Sequence, residues 1–187
     1  ALFLLAGAAA NAAATETLPL AEVTGPWLDM LRSRDPGVRN AAGTVLADIV
    51  RKHPSAAGDL VRSMANEENG DASAEHERRL ASLARESPAT VSAVIRLIRD
   101  RGTNYRARNF GVKVLSQVGP AAATPEFVEA LAETHCPVPY AFIRVMRPMG
   151  KDAIPILTAG FRHGNATIRA KSTNALRVLG RNDAGMK

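Results

Sequence analysis

Apolar residues recur at helical spacing along most of the chain, and one stretch sets the pattern. Asp35 to Ile49 reads DPGVRNAAGTVLADI. Asp35 is suited to cap a helix start, Pro36 presets φ, and Gly37 relaxes the backbone before helical spacing begins. Val38, Ala42, Val45, Leu46 and Ile49 then fall on one face at i, i+4, i+7, i+8 and i+11.

The same pattern returns downstream. A shift of 69 residues sets Arg108-Asn109 under Arg39-Asn40, Val114-Leu115 under Val45-Leu46, and Val118 under Ile49. A shift of 130 sets Ile168-Arg169 under Val38-Arg39, Ala175-Leu176 under Val45-Leu46, and Leu179 under Ile49. Asn104 and Asn165 replace Asp35, so the capping chemistry recurs with the apolar spacing. A looser copy at a shift of 100 keeps Val138, Phe142, Val145, Met146 and Met149 but has Pro139 in place of the arginine. Glycines at 119, 150 and 180 mark helix ends with a period of 31 and then 30 residues. Such a period predicts a solenoid of stacked helical hairpins.

Five hairpins follow. Residues 15–26, carrying Pro19 and the Gly25-Pro26 breaker, read as a linker. Trp27 to Arg32 pairs with the Asp35 stretch, which ends near His53-Pro54. Ala56 to Ala65 (Leu60, Val61 and Met64 inward) pairs with Ala74 to Arg85 (Leu80 and Leu83 buried), the hairpin that fits the repeat least well. The polar run from Asn66 to Asp71 between them reads as an exposed loop. Ala89 to Arg99, with Val91, Val94, Ile95 and Ile98 inward, precedes a helix closed by Gly119-Pro120. Phe127 to Glu133 with Pro139 to Met149, and Ala153 to Phe161 with Thr167 to Leu179, complete the set. Lys171, in the position held by Ala41, Phe110 and Ala141, is expected to mark the last repeat. No run of alternating β-branched residues is present, so the expected class is all-α. The expected organisation is a repeat domain over 27–181 and a tail over 182–187.

The Asp35-Pro36…Val38-Arg39…Ala42…Val45-Leu46 and Ile168-Arg169…Ala175-Leu176…Leu179-Gly180 runs resemble HEAT repeats. They are most similar to the short bacterial type related to phycobilisome-lyase repeats. The resemblance covers roughly residues 27 to 181 and implies a right-handed α-solenoid. It says little about activity, because repeat folds host many functions. It also implies that the second helix of each hairpin lines a concave face. On the alignment, that face holds Asn40, Thr44 and Ala47; then Asn109, Lys113 and Ser116; then Tyr140, Arg144 and Arg147; then Ala170, Asn174 and Arg177.

Charge sharpens this picture. Residues 1–94 hold 9 Lys/Arg against 12 Asp/Glu, and residues 95–187 hold 15 against 6, a net of −3 followed by +9. The basic half favours an acidic partner, and Asn109, Lys113, Tyr140, Arg144, Arg147, Asn174 and Arg177 are its candidate contacts. The competing reading is a solvating surface. Arg39, Arg108 and Arg169 sit in first helical turns, where the macrodipole disfavours cations. They are expected to pair with a carboxylate or to cap carbonyls of an adjacent repeat, a structural role the resemblance also implies.

Little else carries chemistry. The single cysteine, Cys136, beside His135, excludes an intramolecular disulfide framework and reads as a loop residue. Only His76-Glu77 forms a His-Glu pair, and one pair cannot build the iron site of HEAT-like hydroxylases. The concave positions lack the carboxylate of HEAT-like DNA glycosylases, and no local feature identifies a chromophore site. No catalytic, cofactor-binding or metal-ligating constellation stands out. Ala1 to Ala14, apolar and uncharged, is too short to span a membrane. It resembles the apolar part of a secretory signal, with Ala10-Asn11-Ala12 or Ala12-Ala13-Ala14 as cleavage sites. That reading gives an exported or periplasmic location; the tail of an earlier repeat helix would give a cytoplasmic one. The function expected is a non-catalytic scaffold that binds a protein partner, with nucleic-acid binding as the alternative and an enzyme or lyase subunit after that.

Overall fold

A computed structural model describes residues 20–66, 70–132 and 141–184. The expected signal-like stretch (1–14), Cys136, His135, Pro139 and Tyr140 lie outside them, as do residues 67–69 of the expected polar loop. The fold is all-α, with no strand among the described residues. The chain divides into two compact units, residues 1–52 and 53–187.

The first unit contains α1 (Leu20–Met30) and α2 (Pro36–Lys52), packed together. α1 runs straight through Gly25-Pro26, where a linker was expected. An interior proline removes one helical hydrogen bond and costs about 3 kcal/mol in isolation. Here the helix carries an apolar flank in compensation: Val23, Trp27 and Leu28 are half-buried, and Leu31, just past its end, is buried. The stripe on α2 is rotated from the expected one. Arg39, Ala42, Gly43, Leu46 and Val50 are buried, Val45 and Ile49 are half-buried, and Val38 is exposed. An α-helix with one partner buries one narrow stripe, and burial of the Arg39 stem turns that stripe by about one residue.

The second unit runs from a 3₁₀ turn (Pro54–Ala56) through α3 (Ala57–Ala65), α4 (Gly70–Glu86), α5 (Pro88–Arg99) and α6 (Tyr105–Val118). It continues through α7 (Pro125–Ala132), α8 (Ala141–Met149), α9 (Ile154–Phe161) and α10 (Ala166–Ala184). The expected inward residues are buried throughout α3 to α5: Leu60, Val61, Met64, Leu80, Leu83, Val91, Val94, Ile95 and Ile98. Gly70 and Asp71, expected in the loop, open α4.

Packing in this unit follows a simple order. α3 packs on α5, α5 on α7 and α7 on α9; α4 packs on α6, α6 on α8 and α8 on α10. Cross-contacts between successive helices, such as α5 with α6 and α9 with α10, join the two rows. The core lies between the rows, around Leu80, Ile98, Leu115, Phe127, Met146 and Leu157.

Helix starts repeat their chemistry. Asp35 Oδ1 accepts the Gly37 N–H at 2.7 Å, Asn104 Oδ1 accepts the Ala107 N–H at 2.8 Å, and Asn165 Oδ1 accepts the Thr167 N–H at 2.8 Å. Helix ends repeat less well. Gly119 and Gly150 take positive φ (75° and 55°), which favours glycine and turns the chain into a 3₁₀ segment. Gly180 was expected to end its helix but lies inside α10. Gly119 is followed at once by Pro120, whereas Arg181-Asn182-Asp183-Ala184 can continue a helix.

Leu176 also departs from expectation. Its counterparts Leu46 and Leu115 are fully buried, but on α10 the buried stripe is Ile168, Ser172 and Ala175, leaving Leu176 half-buried beside it. Lys171 is half-buried as well, where Phe110 at the matching position is buried.

Candidate partner-binding surface

The recurring arginines settle first which cations are structural. Arg39 Nη1 donates to the carbonyls of Ser33 (2.9 Å) and Arg34 (3.1 Å). Arg108 Nη2 donates to the Arg101 carbonyl at 2.8 Å. Arg169 Nη1 donates to the carbonyls of His163 (2.9 Å) and Gly164 (2.7 Å). Each guanidinium therefore folds back over the loop of its own hairpin, five to seven residues upstream. The expectation of an adjacent-repeat partner is corrected in this respect. The cause is geometric: a tight loop points carbonyls that no backbone N–H reaches, and a long first-turn side chain lies over them.

The seven candidate residues lie on α6, α8 and α10 or beside them. Tyr140 is outside the described residues. Arg144 belongs to α8, and its side chain is likewise outside them. Asn109 and Lys113 on α6 are half-buried, and Lys113 is engaged: its Nζ lies 2.8 Å from Glu77 Oε1 on α4. The Glu77 side chain is only 11% exposed, so this ion pair is held in partly desolvated surroundings and is not available to a ligand at no cost. Beside it, Arg85 of α4 donates to the Gln117 carbonyl of α6. α6 is thus packed and electrostatically matched on its α4 side.

The far end differs. Arg147 on α8 is exposed, and Asn174 and Arg177 on α10 are exposed. Arg177 Nη2 donates to Asn174 Oδ1 at 3.0 Å, an i, i+3 contact that fixes one edge of the guanidinium. Arg147 and Arg177 occupy the same repeat position, thirty residues apart, on helices that pack together. The structure therefore leaves Arg147, Asn174 and Arg177 exposed on two packed helices and ties Lys113 to Glu77.

Glu77 was not among the sequence candidates as a partner for this face. Its position next to His76 drew attention only as half of a metal motif. In the structure His76 is buried at 1% exposure and Glu77 points to Lys113. Among the described residues, no group of three or more His, Cys, Asp or Glu side chains could hold a metal ion. Among them also, no helix is long and apolar enough to cross a membrane.

Asp100 lies in the α5–α6 loop. The Gly102 N–H (2.9 Å) and the Thr103 hydroxyl (3.1 Å) both donate to its carboxylate and hold it below the usual aspartate value. It shapes the loop that Arg108 caps. No protein-family model matches this chain, and no curated protein matches it.

Proposed function

We propose that residues 53–187 form a HEAT-like α-solenoid, right-handed and non-catalytic, that binds an acidic protein segment on the row containing α6, α8 and α10. The hairpin of α1 and α2 is a further copy of the same repeat, as its cap and its loop-covering arginine indicate. The observation that carries the binding reading is the exposure of Arg147, Asn174 and Arg177 on two packed helices of one row, with the neighbouring Lys113 already neutralised. A surface of one charge sign raises the local concentration of an oppositely charged ligand.

The test is fluorescence anisotropy of a labelled acidic peptide against the wild type and an Arg147→Glu/Arg177→Glu variant at low salt. Binding is expected only to the wild type, with an unchanged thermal midpoint because both arginines are exposed. No binding by the wild type would make the face a solvating surface. Preference for duplex DNA, with a log–log salt slope near −0.9 per phosphate neutralised, would transfer the surface to nucleic acid.

A further inference from the structure

Equivalent positions on α2, α6 and α10 differ in burial, and α2 carries an apolar stripe that its counterpart on α6 buries. Val38, Ala41, Val45 and Ile49 lie at i, i+3, i+7 and i+11, one face of a helix. None of the four is buried: Val38 is 37% exposed and the others are half-buried. The buried side of α2, from Arg39 to Val50, lies about a third of a turn away. The shift of 69 residues sets Ala107, Phe110, Val114 and Val118 of α6 at these positions, and all four are buried. In its row α6 packs on α4 before it and on α8 after it. The shift of 130 sets Ile168, Lys171, Ala175 and Leu179 of α10 there. α10 packs on α8, with no row helix after it among the described residues, and of the four Ile168 and Ala175 are buried. Burial of this stripe therefore accompanies a preceding row helix, whereas α2 keeps the stripe apolar and half open.

The position next to it behaves in the opposite sense. Leu46, Leu115 and Met146 are buried on α2, α6 and α8, and Leu176 is only half-buried on α10. Leu179, one turn on, is half-buried too, where Val118 and Met149 are buried. Leu176 and Leu179 are thus what a following helix would cover. Terminal repeats of a soluble array ordinarily turn a polar face outward. These two helices instead retain valine, isoleucine and leucine, and one chain carries both halves of a row joint.

We infer that α10 of one copy seats on the α2 stripe of a second copy, so that the row continues from chain to chain. The contact repeats the packing of α8 on α10 within the second unit and needs no new kind of surface. Removal of the half-open apolar side chains from water drives it. The joint brings together unlike faces, so it is heterologous, and repetition extends the row unless the rotation closes it into a ring. This inference goes beyond the acidic-segment reading and uses only the repeat equivalence of α2, α6, α8 and α10.

Sedimentation velocity on the whole chain tests it, with Val38→Glu to block the α2 face and Leu176→Glu to block the α10 face. The wild type should grow in mass with concentration, past the dimer. Each variant alone should stay monomeric, because a head-to-tail joint needs both faces. An equal mixture of the two variants should form a dimer and nothing larger, since only one intact pair of faces remains. Each variant contributes only its unaltered face to that dimer, so local damage at the altered helix does not mask the result. A wild type that is monomeric at every concentration overturns the inference. So does association of either variant by itself, which would mean a contact between like faces, and so does a mixture that stays monomeric. None of these outcomes bears on acidic-peptide binding, and failure of the peptide to bind leaves this joint standing.

Discussion

Gly160 and Ser172 give the sharpest test of the packing in the second unit. The two residues meet where α9 crosses α10. A Cβ built on Gly160 would overlap Ser172 Oγ, and would lie 3.2 Å from Ser172 Cβ and 3.3 Å from Val128 Cγ1 of α7. Ser172 is fully buried, and its hydroxyl has no hydrogen-bond partner among the described residues. Two opposed effects set the outcome for Gly160→Ala. Helix propensity favours alanine by at most about 1 kcal/mol, and less near a helix end. Overpacking against two neighbours costs about 1–3 kcal/mol. The net expectation is destabilisation by about 1–2 kcal/mol. Ser172→Ala removes a buried, unbonded hydroxyl and should be neutral or stabilise by about 1 kcal/mol. In the double variant the worst overlap is gone and only the two β-carbons crowd each other, so the variants should couple favourably by about 1 kcal/mol. Urea denaturation of the four proteins measures the cycle. Stabilisation by Gly160→Ala alone, or zero coupling, would mean that α9 and α10 do not approach as closely as described.

Three further outcomes follow from the same structure. Leu115→Ala should cost about 2–5 kcal/mol in urea denaturation, and Leu176→Ala clearly less, because Leu115 is fully buried and Leu176 only half. Arg108→Met should cost about 1.5–3 kcal/mol, the range for a charged hydrogen bond, while Arg169→Met costs less because water reaches its exposed loop; equal losses would refute this role. The folded-state pKa of Asp100 lies below its unfolded value, so the loop's contribution is present above the ordinary aspartate value and is lost as pH falls through the lower folded value. Asp100→Asn should therefore flatten the stability–pH curve at its acid end, and an unaltered acid limb would count against the loop contacts.

Local chemistry was the legible part of the sequence. Asp35, Asn104 and Asn165 announced their caps because capping needs only a side-chain oxygen two or three residues before an orphan N–H. The arginine repeat was equally visible, but not its target, since the loop carbonyls come into reach only once the turn has closed. Pro26 misled because the cost of an interior proline is local while the burial that offsets it is tertiary. Gly180 misled for a related reason: glycine permits positive φ without requiring it. Leu176 shares its sequence environment with Leu115, yet each buries what its own neighbours cover, and those neighbours are not written in the repeat.

The same distinction governs the candidate surface. The repeat alignment sets Lys113 on the same helix face as Arg147 and Arg177, within the basic half of the chain. Lys113 and Glu77 are 36 residues apart, and only the packing of α4 on α6 brings them to 2.8 Å. Withdrawing Lys113 from Glu77 would strand a carboxylate that is 11% exposed, whereas Arg147 and Arg177 are in water before any ligand arrives. A ligand thus gains from the two arginines without breaking anything the fold depends on, and gains little net from the lysine. On the row of α6, α8 and α10, the charge open to a ligand therefore excludes Lys113 and rests on Arg147 and Arg177.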